Sequence, residues 1–183
     1  MKLSILRQWL SWLQAGPGDP SDDDCLDCNA RPFVPTKRLC ERDYVIVDML
    51  NSQGHDVVSF CVTDPHQPDN PLIYVSEGFS KLTGYEYDDV VGRNCRFLQG
   101  AETSEEDRLR ISDALKREKE CSVNLLNYKK DGTKFVNEFF LTQLRTEKKE
   151  LAYYIGIQAA VSKRGPGQMP SNPGWIYTLG NHV

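Results

Sequence analysis

The stretch Gly92-Arg93-Asn94-Cys95-Arg96-Phe97-Leu98-Gln99 carries one thiol, Cys95, between the amide of Asn94 and the guanidinium of Arg96, with a second amide, Gln99, one turn on. A thiol so placed has two readings. Buried free cysteines are most often small hydrophobes, whereas a cysteine whose protonation is set by its neighbours is a nucleophile. Further amides follow at Asn127, Asn137 and Gln158, all on stretches with strand character. Each carboxamide offers an acceptor oxygen and an amino donor, so together they suit a ligand whose edges present both. Singly, each is as readily satisfied by a neighbouring strand. No catalytic dyad or metal set emerges beside them. His55, His66 and His182 fall in loop, loop and tail, and Cys25-Leu26-Asp27-Cys28 lacks a second half-site, because Cys40 and His55 do not repeat its spacing.

The elements that must position these groups are legible from Asp56 onward. Val57 to Thr63 is a strand rich in β-branched residues, broken by Asp64-Pro65, and Leu72 to Val75 is a second. Short helices are predicted around Glu77 to Leu82, Tyr87 to Val91 and Asn94 to Leu98. Ser104 N-caps a longer helix to about Glu118, with Glu105 and Glu106 where the helix dipole favours negative charge. Ser122 to Tyr128, Lys134 to Leu144 and Leu151 to Val161 read as strands, turned at Asp131-Gly132 and at Glu147 to Glu150. The prediction is an α+β domain, an antiparallel sheet with helices on one face.

The run G-R-N-C-R-F-L-Q, followed in order by Asn127, Asn137 and Gln158, resembles the light-oxygen-voltage (LOV) family, flavin-binding members of the PAS superfamily, of the short LOV type. The resemblance covers about residues 57 to 161 and implies a PAS fold with a five-stranded antiparallel sheet. It implies a blue-light photoreceptor rather than an enzyme. Cys95 would bond reversibly to the excited flavin, its proton passing to N5, and the adduct would revert thermally. Asn127 and Asn137 would meet the pyrimidine edge of the ring and Gln158 its N5/O4 side, with Thr63 close by. Phe139 belongs to an apolar wall with Leu98, Leu125 and Leu141, and Asn94 and Gln99 join the cofactor-binding set. Arg96 would pair with the cofactor phosphate. The family's second arginine is replaced by Ser112, which makes Arg108, one turn earlier, the substitute. Gln99 to Ser104 lacks the insertion of FAD-binding members, so FMN is expected rather than FAD. Two alternatives use the same residues: a flavin-binding redox-sensing PAS module in which Cys95 only packs, and a cofactor-free PAS scaffold. The scaffold would strand Asn127, Asn137 and Arg96 as polar groups facing an empty cavity.

Composition sets the wider bounds. The 183 residues are 39% hydrophobic and 26% charged, as in a globular domain with extensions, and a net charge of -4 argues against nucleic-acid binding. Six cysteines, with no signal peptide or membrane-spanning run in the sequence, lead us to expect reduced thiols in the cytoplasm or nucleus. The expected organisation is an amphipathic N-terminal helix over 1–15, an acidic Pro/Gly-containing linker over 16–42, the PAS/LOV domain over 43–162 and a Gly/Pro-rich tail over 163–183. Tyr44 to Leu50 is predicted as a short helix joining linker to core. Apolar residues fill one half of the helical wheel over 3–13, suiting a cap on this protein's own sheet, a homodimer or signalling-partner contact, or a membrane surface. With Pro166, Pro170 and Pro173 after the last strand, the tail is a poor source for the C-terminal helix through which phototropin-like relatives signal. The 3–13 helix becomes the preferred output element.

Overall fold

The computed structural model describes residues 31–52 and 58–161. The predicted 3–13 helix, Cys25, Cys28, His55 and the Gly/Pro-rich tail lie outside the described residues.

The elements run α1 (Glu41–Ser52), β1 (Ser59–Thr63), β2 (Leu72–Val75), α2 (Glu77–Thr83), α3 (Tyr87–Val90), a 3-10 turn (Cys95–Leu98), α4 (Glu105–Lys116), β3 (Cys121–Tyr128), β4 (Lys134–Arg145) and β5 (Leu151–Val161). The strands form one five-stranded sheet in the order β2-β1-β5-β4-β3, every pair antiparallel. This is the predicted α+β architecture, with element ends shifted by a few residues.

Local chemistry explains the boundaries. Ser76 caps α2, its Oγ accepting from the Phe79 amide, and Gly84 closes the helix at φ 75°, a conformation that costs glycine little. Ser104 caps α4 as predicted, accepting from the Asp107 amide at 3.3 Å. The β3–β4 turn holds Gly132 at φ 84°, with Asp131 Oδ1 accepting from the Thr133 amide at 2.8 Å.

Strand alternation gives the sheet two different faces. On β5, Tyr154, Gly156 and Gln158 share the inner face with Cys61 of β1 and with Asn137, Phe139 and Leu141 of β4. That face packs under α2, the 3-10 turn and α4. The outer face carries Phe60, Val62, Phe140, Leu144, Tyr153, Ile155 and Ile157. It is closed by Phe33, Leu39 and the buried side of α1, namely Ile46, Val47 and Leu50.

Residues 31–42, placed by the sequence in a linker, therefore pack as a strap across the outer face, because Phe33 and Leu39 supply apolar anchors within that polar stretch. Polar contacts fix the strap. Leu39 bridges to Thr146, the Cys40 amide donates to the Arg145 carbonyl at 2.9 Å, and the fully buried Asp43 accepts from the Arg145 amide at 2.5 Å. The Lys37 amide donates to the Tyr153 hydroxyl at 3.0 Å.

Candidate functional site

A cavity opens between the inner face of the sheet, the 3-10 turn and α4. It is lined by Cys95, Leu98, Gln99, Ile111, Leu125, Asn127, Asn137, Phe139 and Gln158.

The thiol reaches the cavity because its turn is pinned from both sides. The Gly92 amide donates to the Leu72 carbonyl and the Leu72 amide to the Arg93 carbonyl, each at 2.8 Å. Gly92 itself sits at φ 87°. Asn94 caps the turn, its Oδ1 accepting from the Arg96 amide at 3.0 Å while its Nδ2 donates to the Asp69 carbonyl at 2.5 Å. Burial pushes the Cys95 thiol above its ordinary pKa, with the Arg96 guanidinium working the other way. Cys95 is thus a thiol, not a thiolate, at neutral pH.

Opposite the turn, the three predicted amides come from adjacent strands β3, β4 and β5. All are buried. Asn137 Nδ2 donates to Asn127 Oδ1 at 2.9 Å, and Asn127 Nδ2 donates to the Leu126 carbonyl at 3.2 Å. Gln158 Nε2 donates to Cys61 Sγ at 3.5 Å. The remaining oxygens, Asn137 Oδ1 and Gln158 Oε1, are buried with no partner among the described residues. Unpaired buried acceptors are costly unless something else satisfies them. An apolar cavity bearing buried carboxamides with unspent hydrogen-bonding capacity fits a planar heteroaromatic ligand with both donors and acceptors on its edge, and the isoalloxazine of a flavin is such a ligand.

The predicted residues divide accordingly. Cys95, Gln99, Asn127, Asn137, Phe139 and Gln158 line the cavity together. Thr63 is buried on β1 with its hydroxyl unpartnered among the described residues, but it does not line the cavity. Asn94 turns to the 69–70 backbone rather than inward, so its geometry is that of a cap. Arg96 is exposed and paired with Asp69 at 2.7 Å, and Arg108 is paired with Glu105 at 2.9 Å on α4. Neither arginine lines the cavity. Arg108 does stand one turn before Ile111, which does.

Sequence reasoning missed two neighbours of the site. Ile111 comes from the apolar side of α4. Cys61 follows from alternation on β1, since it lies two residues before Thr63 and so shares its face. It pairs with Gly156 of β5, where a Cβ would come within 2.5 Å of the Phe139 ring and 3.2 Å of Cys61 Sγ. Only a glycine leaves that ring its place at the cavity wall.

The PAS domain family model matches residues 57–162. The chain is 46% identical to Phototropin-1A of Oryza sativa subsp. japonica over 166 residues, 85% of this chain and 18% of that protein. It is 40% identical to a blue-light photoreceptor of Listeria monocytogenes over 118 residues, 64% of this chain and 45% of that protein. It therefore spans under half the length of these relatives. Among solved structures, one described as "Flavin Analogue Sheds Light on Light-Oxygen-Voltage Domain Mechanism" is 42% identical with a TM-score of 0.62, covering 66% of this chain and 87% of that one. The dark structure of the Aureochrome1 LOV photoreceptor is 39% identical with a TM-score of 0.59, covering 75% and 89%.

Proposed function

We propose, on the premise that this chain belongs to the PAS domain family and within it is of the light-oxygen-voltage type, that it is a blue-light sensing switch. In this reading it binds FMN and bonds it reversibly through Cys95. The observation that carries the reading is the meeting, in one cavity, of a protonated thiol with buried carboxamides, two of whose oxygens lack partners among the described residues.

A flavin held there would supply a ring that absorbs blue light and, when excited, is open to proton and thiol addition. The protein's part is positional. Asn127 and Asn137 hold the polar edge, with Asn137 Oδ1 free to accept. Leu98, Leu125, Ile111 and Phe139 exclude water. Cys95 would keep its S–H proton in the dark and, on adduct formation, pass that proton to the ring nitrogen while its sulfur, still bonded to Cβ, bonds the adjacent carbon, so that S–H adds across one ring double bond and no external oxidant is needed. Nothing is turned over. Arg96, once freed from Asp69, and Arg108, once freed from Glu105, would be the cations for the phosphate.

Gln158 carries the signal. Its amide reverses when its neighbour changes from acceptor to donor, and a mismatch left buried there is worth about 1–3 kcal/mol. That is enough to bias a two-state element about five-fold or more. Ile157, the preceding residue, faces the strap across β5. The disturbance would pass through the strand to the strap and α1; the 3–13 segment, amphipathic in sequence, is the proposed contact for a homodimer or signalling partner.

The test is the absorption spectrum in the dark, after blue illumination and during recovery, for the wild type and Cys95→Ala. A flavin band that bleaches and returns in the wild type and stays unbleached in the variant is the expected result. Bound flavin that never bleaches in the wild type would replace this reading with redox sensing. Failure to bind flavin after reconstitution would replace it with a scaffold.

A further inference from the structure

Cys61 is a second thiol at this site, on a different strand from Cys95 and with a different neighbour. It is 2% exposed and stands on β1 opposite Gly156, in the same apolar cluster as Leu98 and the edge of Cys95. Packing alone accounts for a small apolar side chain there. It does not account for the Gln158 amide, 4% exposed, which points its nitrogen at Cys61 Sγ and leaves its oxygen without a partner among the described residues.

A thiol differs from the aliphatic side chains of similar size in one respect: its S–H is a weak donor and its sulfur a weak acceptor. We propose that Cys61 is a positioning residue for the Gln158 carboxamide, its sulfur accepting from Nε2 in one amide orientation and its S–H donating to Oε1 in the reversed one. The inference rests on the blue-light reading above, because only there does the amide have cause to reverse. With a thiol behind it, the amide keeps a partner on the β1 side in both states. With an aliphatic residue, it has a partner there in neither. Burial keeps this thiol protonated, so the donor is present whenever the amide turns. Cys61 takes no part in bond formation with the ligand.

The test is the light-minus-dark infrared difference spectrum in the thiol stretching region, together with dark recovery, on the full chain bound to FMN. In the wild type we expect two signals: one band lost, from Cys95, and one band displaced, seen as a paired loss and gain, from Cys61. Cys61→Val should abolish the displaced pair, keep the Cys95 loss and change the recovery rate about three- to ten-fold, the reach of one net hydrogen bond. Cys61→Ser, which keeps a donor and an acceptor, should return recovery toward the wild-type rate. A role in packing alone predicts the reverse ranking, since valine fills the site and serine does not. A wild type that bleaches with a single lost thiol band, or a displaced pair that survives in Cys61→Val, overturns the inference and leaves the photoreceptor reading standing. A wild type that does not bleach overturns that reading as well.

Discussion

Replacing Gly156 by alanine tests how tightly the cavity wall is built. The backbone there is ordinary strand, so no left-handed strain is involved, and the exchange would by itself stabilise the chain by about 0.4–1 kcal/mol through a less flexible unfolded state. Against this, the new methyl would lie 2.5 Å from Phe139 Cε2, 3.0 Å from Cζ and 3.2 Å from Cys61 Sγ. Real contacts of this kind are about 3.5–4.0 Å, so the ring must yield by roughly 1 Å. Overpacking of a buried site costs about 1–3 kcal/mol. The crowding wins, and Gly156→Ala should lose about 1–2 kcal/mol net, a fall of roughly 3–8 °C in Tm. Because Phe139 is also cavity wall, flavin occupancy should fall with it. The assays are thermal unfolding of the apoprotein and flavin titration by fluorescence. Phe139→Leu supplies the internal control: in its background the alanine should cost markedly less, giving a coupling that a double-mutant cycle reads directly. If Gly156→Ala unfolds and binds flavin as the wild type does, or if its cost is the same with and without the Phe139 ring, the close approach described here is wrong.

Two further outcomes follow from the polar contacts that tie the strap and β1 to the sheet. The Asp64 carboxyl is pushed up by burial but more strongly down by Lys37 at 2.6 Å and by donors from His66 and Gln67, and ends at about 2. A folded pKa below the unfolded value means that the contribution, about 2 kcal/mol, is present above pH ~4 and is lost as pH falls toward 2. Asp64→Asn should flatten that limb of an acid unfolding curve and lower stability at neutral pH. Asp43→Ala leaves the half-buried Arg145 amide without its acceptor, which should cost about 1–3 kcal/mol and raise hydrogen exchange in α1 before it does so in β3.

The sheet could be read from the chain because its signals are local. Thr and Val clusters with alternation, Asp131-Gly132 at a hairpin and Ser104 ahead of two acids each fix an element within a few residues. The three amides are legible through the family resemblance, and they meet because they sit on adjacent strands with their side chains on one face. What the sequence concealed is relational. Nothing in Phe33 or Leu39 reveals that the outer face of a sheet formed more than a hundred residues later will need covering, so a covering strap looks like linker. Asn94 has the composition of a ligand and the geometry of a cap, because short polar side chains serve either purpose. That Arg96 and Arg108 are each paired with an acidic neighbour, one loop or three residues away, is likewise not announced by the sequence. Cys61 passed unnoticed because a cysteine in a strand looks like packing until its neighbour across β5 is known.

The strap also bears on the order in which the molecule is built. Its anchors join positions 102 and 116 residues apart, Asp43 to Arg145 and Lys37 to Tyr153. On a growing chain, the strap emerges first and finds its seat last, after β4 and β5 exist to receive it. Contacts that close so long a loop form late. Segments that dock late on an otherwise finished sheet are also those that detach at least cost. On this topology the stretch expected to dock last in folding is also the one expected to come away first when the sheet beneath it is disturbed, so a releasable part would be set by the order of assembly.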